Sequence, residues 1–402
     1  MYRFGLQSLT RKTDAMTLGV RNRRVDLLRG VSILLVLLHH FNITYHLPGT
    51  ALGRWLSPDF VRAVARNGNY GVTIFFVISG FLITSNSEKR WGTLPRIDVR
   101  SFYGLRIARI VPCLLLLLLI VNGLDASGVT IFGSHDPATH EPVSRWLVNI
   151  AALTFWMNVL IGHMGWVNYP LGVLWSLSVE EVFYLTFPLL ARLLRDTRWI
   201  VGVWLAVIVA GPVYRLYHQG DEGGFLFAYF ASFDGIAIGC CTALLARGRR
   251  LDERVARIAQ PVVMAAMVSL YLWESIGVTN VYGVTLMALF AGFLLWAGDA
   301  HPQGALARRS GALRCVEWFG RQSYELYLFH LVVLGLMRSV WPPAGVHGDE
   351  KLALLALFMV GASGLAALIS RGYSEPLNRR LRSALVRSQG RGKANIPQSG
   401  AV

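Results

Sequence analysis

Arg29 and His40 lie eleven residues apart on what reads as one continuous apolar helix, with Asp26 at its start and His39 beside His40. On an ideal helix that spacing gives about 20° of angular offset and about 16 Å of rise, so the pair shares one face. Asp26 falls about 40° to the other side of His40, and His39 points about 100° away. A histidine can accept a proton and an arginine can hold an anion. Both are costly in hydrocarbon, so an intramembrane cluster points to function. A lone histidine would be read as a hydrogen bond to a neighbouring helix; alignment with Asp26 and Arg29 favours a site.

A second pair, Glu180 and Glu181, interrupts the apolar run Leu174–Tyr184. A carboxylate near a histidine can fix its tautomer and stabilise the imidazolium. By depth, Glu180 matches His40, and Glu180 is favoured over Glu181, although either could pair with an arginine. Ser79 and Gly80 lie in the segment Gly71–Leu82; small residues permit close helix approach, and Ser79 can also donate into a cavity. Arg106 and Arg109 are one turn apart ahead of Pro112. Paired guanidiniums suit phosphate, while ordinary basic-loop charge is the plainer explanation. Tyr324, Tyr327 and His330 can share a face, adding a second histidine at membrane depth. Glu375, within Tyr373–Pro376, could pair with a basic loop.

Long apolar helices must position these groups. The chain is 54% hydrophobic and only 15% charged, and membrane-length windows recur along it. An all-α integral membrane protein is predicted, with about ten transmembrane helices and one short re-entrant or interfacial helix at Leu147–Ile161. The last expected span is Lys351–Ser370, preceded by Trp318–Trp341. If Leu147–Ile161 crossed, every later basic cluster would change sides; if it does not, Arg21–Arg24, Lys89–Arg109, Arg192–Arg198, Arg247–Arg250 and Arg308–Arg314 share the cytoplasmic side with both termini. That stretch is expected to line the site. The organisation predicted is a basic cytoplasmic segment at 1–24, a membrane domain at 25–376 and a disordered basic tail at 377–402. The first apolar run is expected to stay as an uncleaved anchor in the cell membrane. The net charge of +16 follows this arrangement, with no nucleic-acid motif to match it. Cys113, Cys240, Cys241 and Cys315 have neither zinc nor disulfide spacing, and no metal site is expected.

Arg29 with His40, the Gly71–Leu82 segment, Arg106-x-x-Arg109 with Pro112, the Trp175–Glu180 run with Phe183-Tyr184, and Ser323–His330, in this order, resemble membrane acyltransferase family 3. The resemblance covers roughly Arg24 to Pro376. It implies an O-acyltransferase, most often an O-acetyltransferase, using acyl-CoA as co-substrate, with about ten spans. Its implied acceptors are hydroxyls of a glycan, a lipid-linked saccharide or a macrolide-like molecule. This chain resembles the stand-alone members without a fused esterase-like domain. The roles implied are His40 as general base, Arg29 at the thioester, Asp26 orienting Arg29, Glu180 supporting His40, and Arg106 and Arg109 on the donor phosphates. Ser79, Tyr324 and His330 would complete the donor site. A secondary transporter or exporter of a glycan or small molecule is the rival reading, since it too would carry charges at midplane. No inverted repeat is evident.

Overall fold

The computed structural model describes residues 22–298 and 310–394. Arg21, Arg308 and Arg309 of the basic clusters fall outside them, as do most of the N-terminal segment and residues 395–402. The described chain is helical throughout, with two isolated bridges as its only β-pairing. The helices are α1 (Arg23–Tyr45), α2 (Ala51–Leu56), α3 (Pro58–Arg66), α4 (Asn69–Trp91), α5 (Val99–Ala126), α6 (Arg145–Leu153), α7 (Met157–Met164) and α8 (Leu174–Leu194). They continue as α9 (Thr197–Tyr217), α10 (Tyr229–Gly248), α11 (Glu253–Trp273), α12 (Ile276–Ala297), α13 (Gly311–Arg321), α14 (Ser323–Val340), α15 (Glu350–Ile369) and α16 (Glu375–Ala394).

Nine helical segments among the described residues are long and apolar enough to cross a membrane, and the protein is an all-α, multi-pass integral membrane protein. The tenth expected span, Trp318–Trp341, is divided: α13 ends at Arg321 and α14 begins at Ser323. Glu325, His330 and Arg338 make α14 less apolar than α15.

Capping and close packing set α1. The Asn22 side chain accepts from the Arg24 N–H at 3.1 Å, which satisfies one free amide of the first turn. Arg23 pairs with Glu317 of α13 at 2.6 Å. Backbones then meet directly: a Cβ on Gly320 would stand 1.7 Å from the Asp26 carbonyl oxygen, and one on Gly30 would stand 2.0 Å from that of Val316. The same device joins α4 to α10, where a Cβ on Gly80 would lie 1.9 Å from the Ile236 carbonyl oxygen.

Leu147–Ile161 does not cross. It forms α6 and α7, of 9 and 8 residues, broken at Phe155, whose φ is 61°. Each rises only about 13 Å, far short of a bilayer core. The expectation that it lines the site is corrected: its polar groups brace neighbouring backbone. Met157 donates its N–H to Ser178 Oγ of α8 at 3.2 Å, and Asn158 Nδ2 donates to the Phe227 carbonyl at 3.1 Å.

The tail is a second correction. Residues 377–394 continue α16, whose Leu385 packs against Gly104 of α5. Polar composition concealed an apolar stripe, Leu377, Leu381 and Leu385, at a helical repeat of four. Glu375 pairs with Arg379 of its own helix at 3.6 Å and not with a basic loop.

Candidate functional site

Five helices enclose a cavity of about 870 Å³, counting its open mouth. Helix α1 contributes Arg29, α4 contributes Ser79 and Asn86, α5 contributes Arg106 and Arg109, α8 contributes Glu180 and Tyr184, and α14 contributes Ser323, Tyr324 and Tyr327. The cavity therefore gathers Arg29, Ser79, Arg106, Arg109, Glu180 and Tyr324 from the sequence-predicted set.

Its arginine end is held by ring and hydroxyl contacts. The Arg106 guanidinium lies 3.8 Å over the Tyr184 ring centroid, a cation–π contact. Tyr184 in turn hydrogen-bonds Ser79. Arg29 Nε donates to Ser323 Oγ at 3.0 Å, and the Tyr324 hydroxyl donates to the Ile110 carbonyl at 3.1 Å. Glu180 faces Ser79 and stands in the field of Arg106, Arg109 and Arg29. Glu181 is buried off the cavity lining, and its Oε1 has no hydrogen-bond partner.

Sequence reasoning missed two groups here. Arg382 of α16 is brought into the field of Arg109, Arg106 and Arg90, making the mouth more basic than the Arg106–Arg109 pair alone. Glu325 of α14, buried behind the lining, accepts from Ser374 Oγ at 2.6 Å and also lies in the field of Arg109 and Arg29. The helical stripe in α16 was the available signal for Arg382. No sequence signal linked Glu325 to Ser374.

His40 and His330 are not on the cavity lining; they lie beyond Tyr327, which is on it. Tyr327 hydrogen-bonds Ser176 Oγ at 2.7 Å and donates to the Val173 carbonyl at 3.1 Å, and its ring centroid is 6.0 Å from that of His330. His330 Nδ1 is 3.0 Å from the Leu326 carbonyl oxygen and 2.9 Å from that of Tyr327. A carbonyl only accepts, so Nδ1 carries the proton and Nε2 is the acceptor. That Nε2 lies 3.2 Å from His40 Nδ1, which is itself 3.0 Å from the Val36 carbonyl oxygen. His40 Nδ1 must therefore be the protonated nitrogen, leaving the His40 Nε2 lone pair uncommitted. These tautomers follow from the hydrogen-bond network.

One expected contact is absent among the described residues. Glu180 is drawn to the arginines and does not partner His40, whose charged or titratable neighbours are His330 and His39. Matching depth on two helices fixed height but not azimuth. Asp26 is buried at the α1–α13 contact, outside the cavity lining. His39 turns to the opposite face, with Nδ1 3.0 Å from the Ala65 carbonyl oxygen and its Cβ against Gly68. His330, expected at the donor site, instead contacts His40.

An all-helical membrane bundle with a basic cavity mouth and a hydrogen-bonded histidine pair defines a membrane protein with an internal polar site. Residues 22–371 match a family model described as an acyltransferase domain, and the chain belongs to that family. Relatives include the peptidoglycan O-acetyltransferase OatA of Listeria monocytogenes, 24% identical over 79% of this chain and 50% of its own length. The O-acetyltransferase OatA of Staphylococcus aureus is 24% identical over 89% of this chain and 57% of its own. Another S. aureus protein, named as a candidate O-acetyltransferase, is 27% identical over 79% of this chain and 51% of its own. The chain thus spans about half the length of these curated relatives. No solved structure matches it.

Proposed function

We propose that this chain is a membrane O-acyltransferase that moves an acyl group, most simply acetyl, from acyl-CoA to a hydroxyl of a glycan or other envelope acceptor. The basic mouth supports a cytoplasmic donor, with both chain termini on that side of the cell membrane. Arg106, Arg109 and Arg382 would bind the donor's phosphates, and Arg29 and Ser323 would hold its arm as it runs toward Tyr327. With about 16 Å of helix between them, Arg29 suits the arm better than the reacting carbonyl at His40.

The observation that carries the reading is the uncommitted His40 Nε2 at the far end of the same row of side chains. His40 Nε2 would take the acceptor hydroxyl's proton as the oxygen attacks the thioester carbonyl. The tetrahedral intermediate then collapses, the carbon–sulfur bond breaks, and the imidazolium returns the proton to the leaving thiolate. His330 would hold the productive His40 tautomer, as a buried carboxylate does in a hydrolase triad.

The test uses protein in sealed proteoliposomes with acetyl-CoA labelled in the acetyl group, scoring free thiol, labelled acceptor and passage of acceptor across the bilayer together. Equal, acceptor-dependent amounts of both are expected. Movement of acceptor across the membrane without thiol release would overturn the reading in favour of a transporter.

A further inference from the structure

One turn beyond His40, at the opposite end from the arginine mouth, lies a polar cluster that neither the donor nor the proton chemistry uses. Thr44, on the same face of α1, donates its hydroxyl to the His40 carbonyl at 3.1 Å and lies 3.3 Å from the Tyr169 hydroxyl. Arg338, two turns along α14 from His330, lays its guanidinium 4.6 Å over the Tyr169 ring. Among the described residues Arg338 makes no ion pair, and its buried Nε has no hydrogen-bond partner. A buried N–H left without an acceptor is costly, and a guanidinium without a carboxylate is rare at this depth.

The loop presenting Tyr169 is built to hold it. Asn168 donates to the Phe132 carbonyl at 2.9 Å and to Ser134 Oγ at 3.0 Å, and accepts from the Leu171 N–H at 3.1 Å. Gly335 of α14 leaves room for the ring: a Cβ there would stand 3.1 Å from Phe132 and 3.5 Å from Tyr169. Packed against Tyr169 between α1 and α14, the guanidinium is turned toward the loop, where a lipid-anchoring arginine would reach outward instead.

Resting on the acyl-transfer reading, we propose that Arg338, Tyr169 and Thr44 form an acceptor subsite for a carboxylate or phosphate on a glycan. The guanidinium fork binds the anion and the Tyr169 ring packs against a sugar face. The acylated hydroxyl then lies at His40, so the subsite selects acceptors whose negative group is one to two sugar units from the reacting hydroxyl.

The test measures equilibrium binding to the nanodisc-embedded protein of four probes: tetragalacturonate, its carboxyl-reduced form, maltotetraose bearing one phosphate, and maltotetraose. Wild type is expected to bind a charged probe at least about tenfold tighter than its neutral partner. Which pair shows the preference distinguishes carboxylate from phosphate. Arg338→Gln should bring the charged-to-neutral ratio to about one, and Arg338→Lys should keep part of it. Equal binding of charged and neutral probes by wild type, or a ratio untouched in Arg338→Gln, overturns the subsite. So does a preference that disappears when anionic lipid is added, which would assign the guanidinium to headgroups. Should Arg338→Gln fail to fold, the wild-type ratio and the Arg338→Lys ratio decide. Thiol release is scored separately, so loss of the transfer reading and loss of the subsite give different results.

Discussion

Arginines are buried in this bundle in two different ways. Between α9, α10 and α12, Arg215 and Asp234 have fully buried side chains and meet at 2.8 and 3.2 Å, and Thr285 closes the pair at 2.5 Å to Arg215 and 2.7 Å to Asp234. In the cavity, Arg29, Arg106 and Arg109 border open space with Glu180 as the one carboxylate on the lining. The first arrangement consumes its charge in joining helices. The second leaves charge facing a volume that a ligand can fill. Buried charge in a membrane thus marks a ligand site only where no opposite charge consumes it.

Breaking the closed pair should have the largest effect on stability. Asp234→Ala strands a buried guanidinium and is expected to cost about 3–5 kcal/mol, read by thermal unfolding in detergent; Arg215→Met with Asp234→Leu should recover most of it. If Asp234→Ala instead lost activity at unchanged stability, the contrast between the two regions would fail.

The open end should behave oppositely. Arg106→Gln or Arg109→Gln is expected to raise the KM for acetyl-CoA by about tenfold to a hundredfold, from loss of a charge-assisted bond, with little change in unfolding temperature. A fall in kcat at constant KM would place these arginines elsewhere in the cycle. Next, His330→Ala should lower kcat about tenfold or more by removing the acceptor that shares the His40 Nδ1 proton with the Val36 carbonyl and orients the ring, and His330→Gln should restore part of it, because an amide oxygen can accept from His40 Nδ1.

The smallest effect lies in an exposed contact. Asp349 accepts from the Ala51 N–H at 2.5 Å and from Arg54 at 2.6 Å, which holds its carboxyl below the usual value. Its contribution is present above the unfolded value of about 3.9 and is lost as pH falls through the lower folded value. A slight acid-side drop in unfolding temperature is expected, absent in Asp349→Asn.

How far the sequence reaches follows from what its patterns encode. Helical angles aligned Arg29 with His40 and set His39 aside, because those relations lie within single helices. The His40–His330 contact joins residues 290 apart and depends on how α1 and α14 pack. No single-helix pattern contains it, so Glu180 was paired with the wrong partner. Arg382 was lost because a polar tail hid a leucine stripe, and Arg338 because a single arginine near a helix end resembles interfacial charge. The fold class was legible from composition and length, while the division at Gln322 required the backbone.

The central claim is that the basic cavity and His40 serve one reaction. Its most direct test is acceptor-dependent thiol release from acetyl-CoA by His40→Ala in nanodiscs, measured beside acetyl-CoA binding by the same preparation. The account predicts release lowered by about a hundredfold to ten-thousandfold with binding and unfolding temperature unchanged. Undiminished thiol release from folded His40→Ala would contradict it.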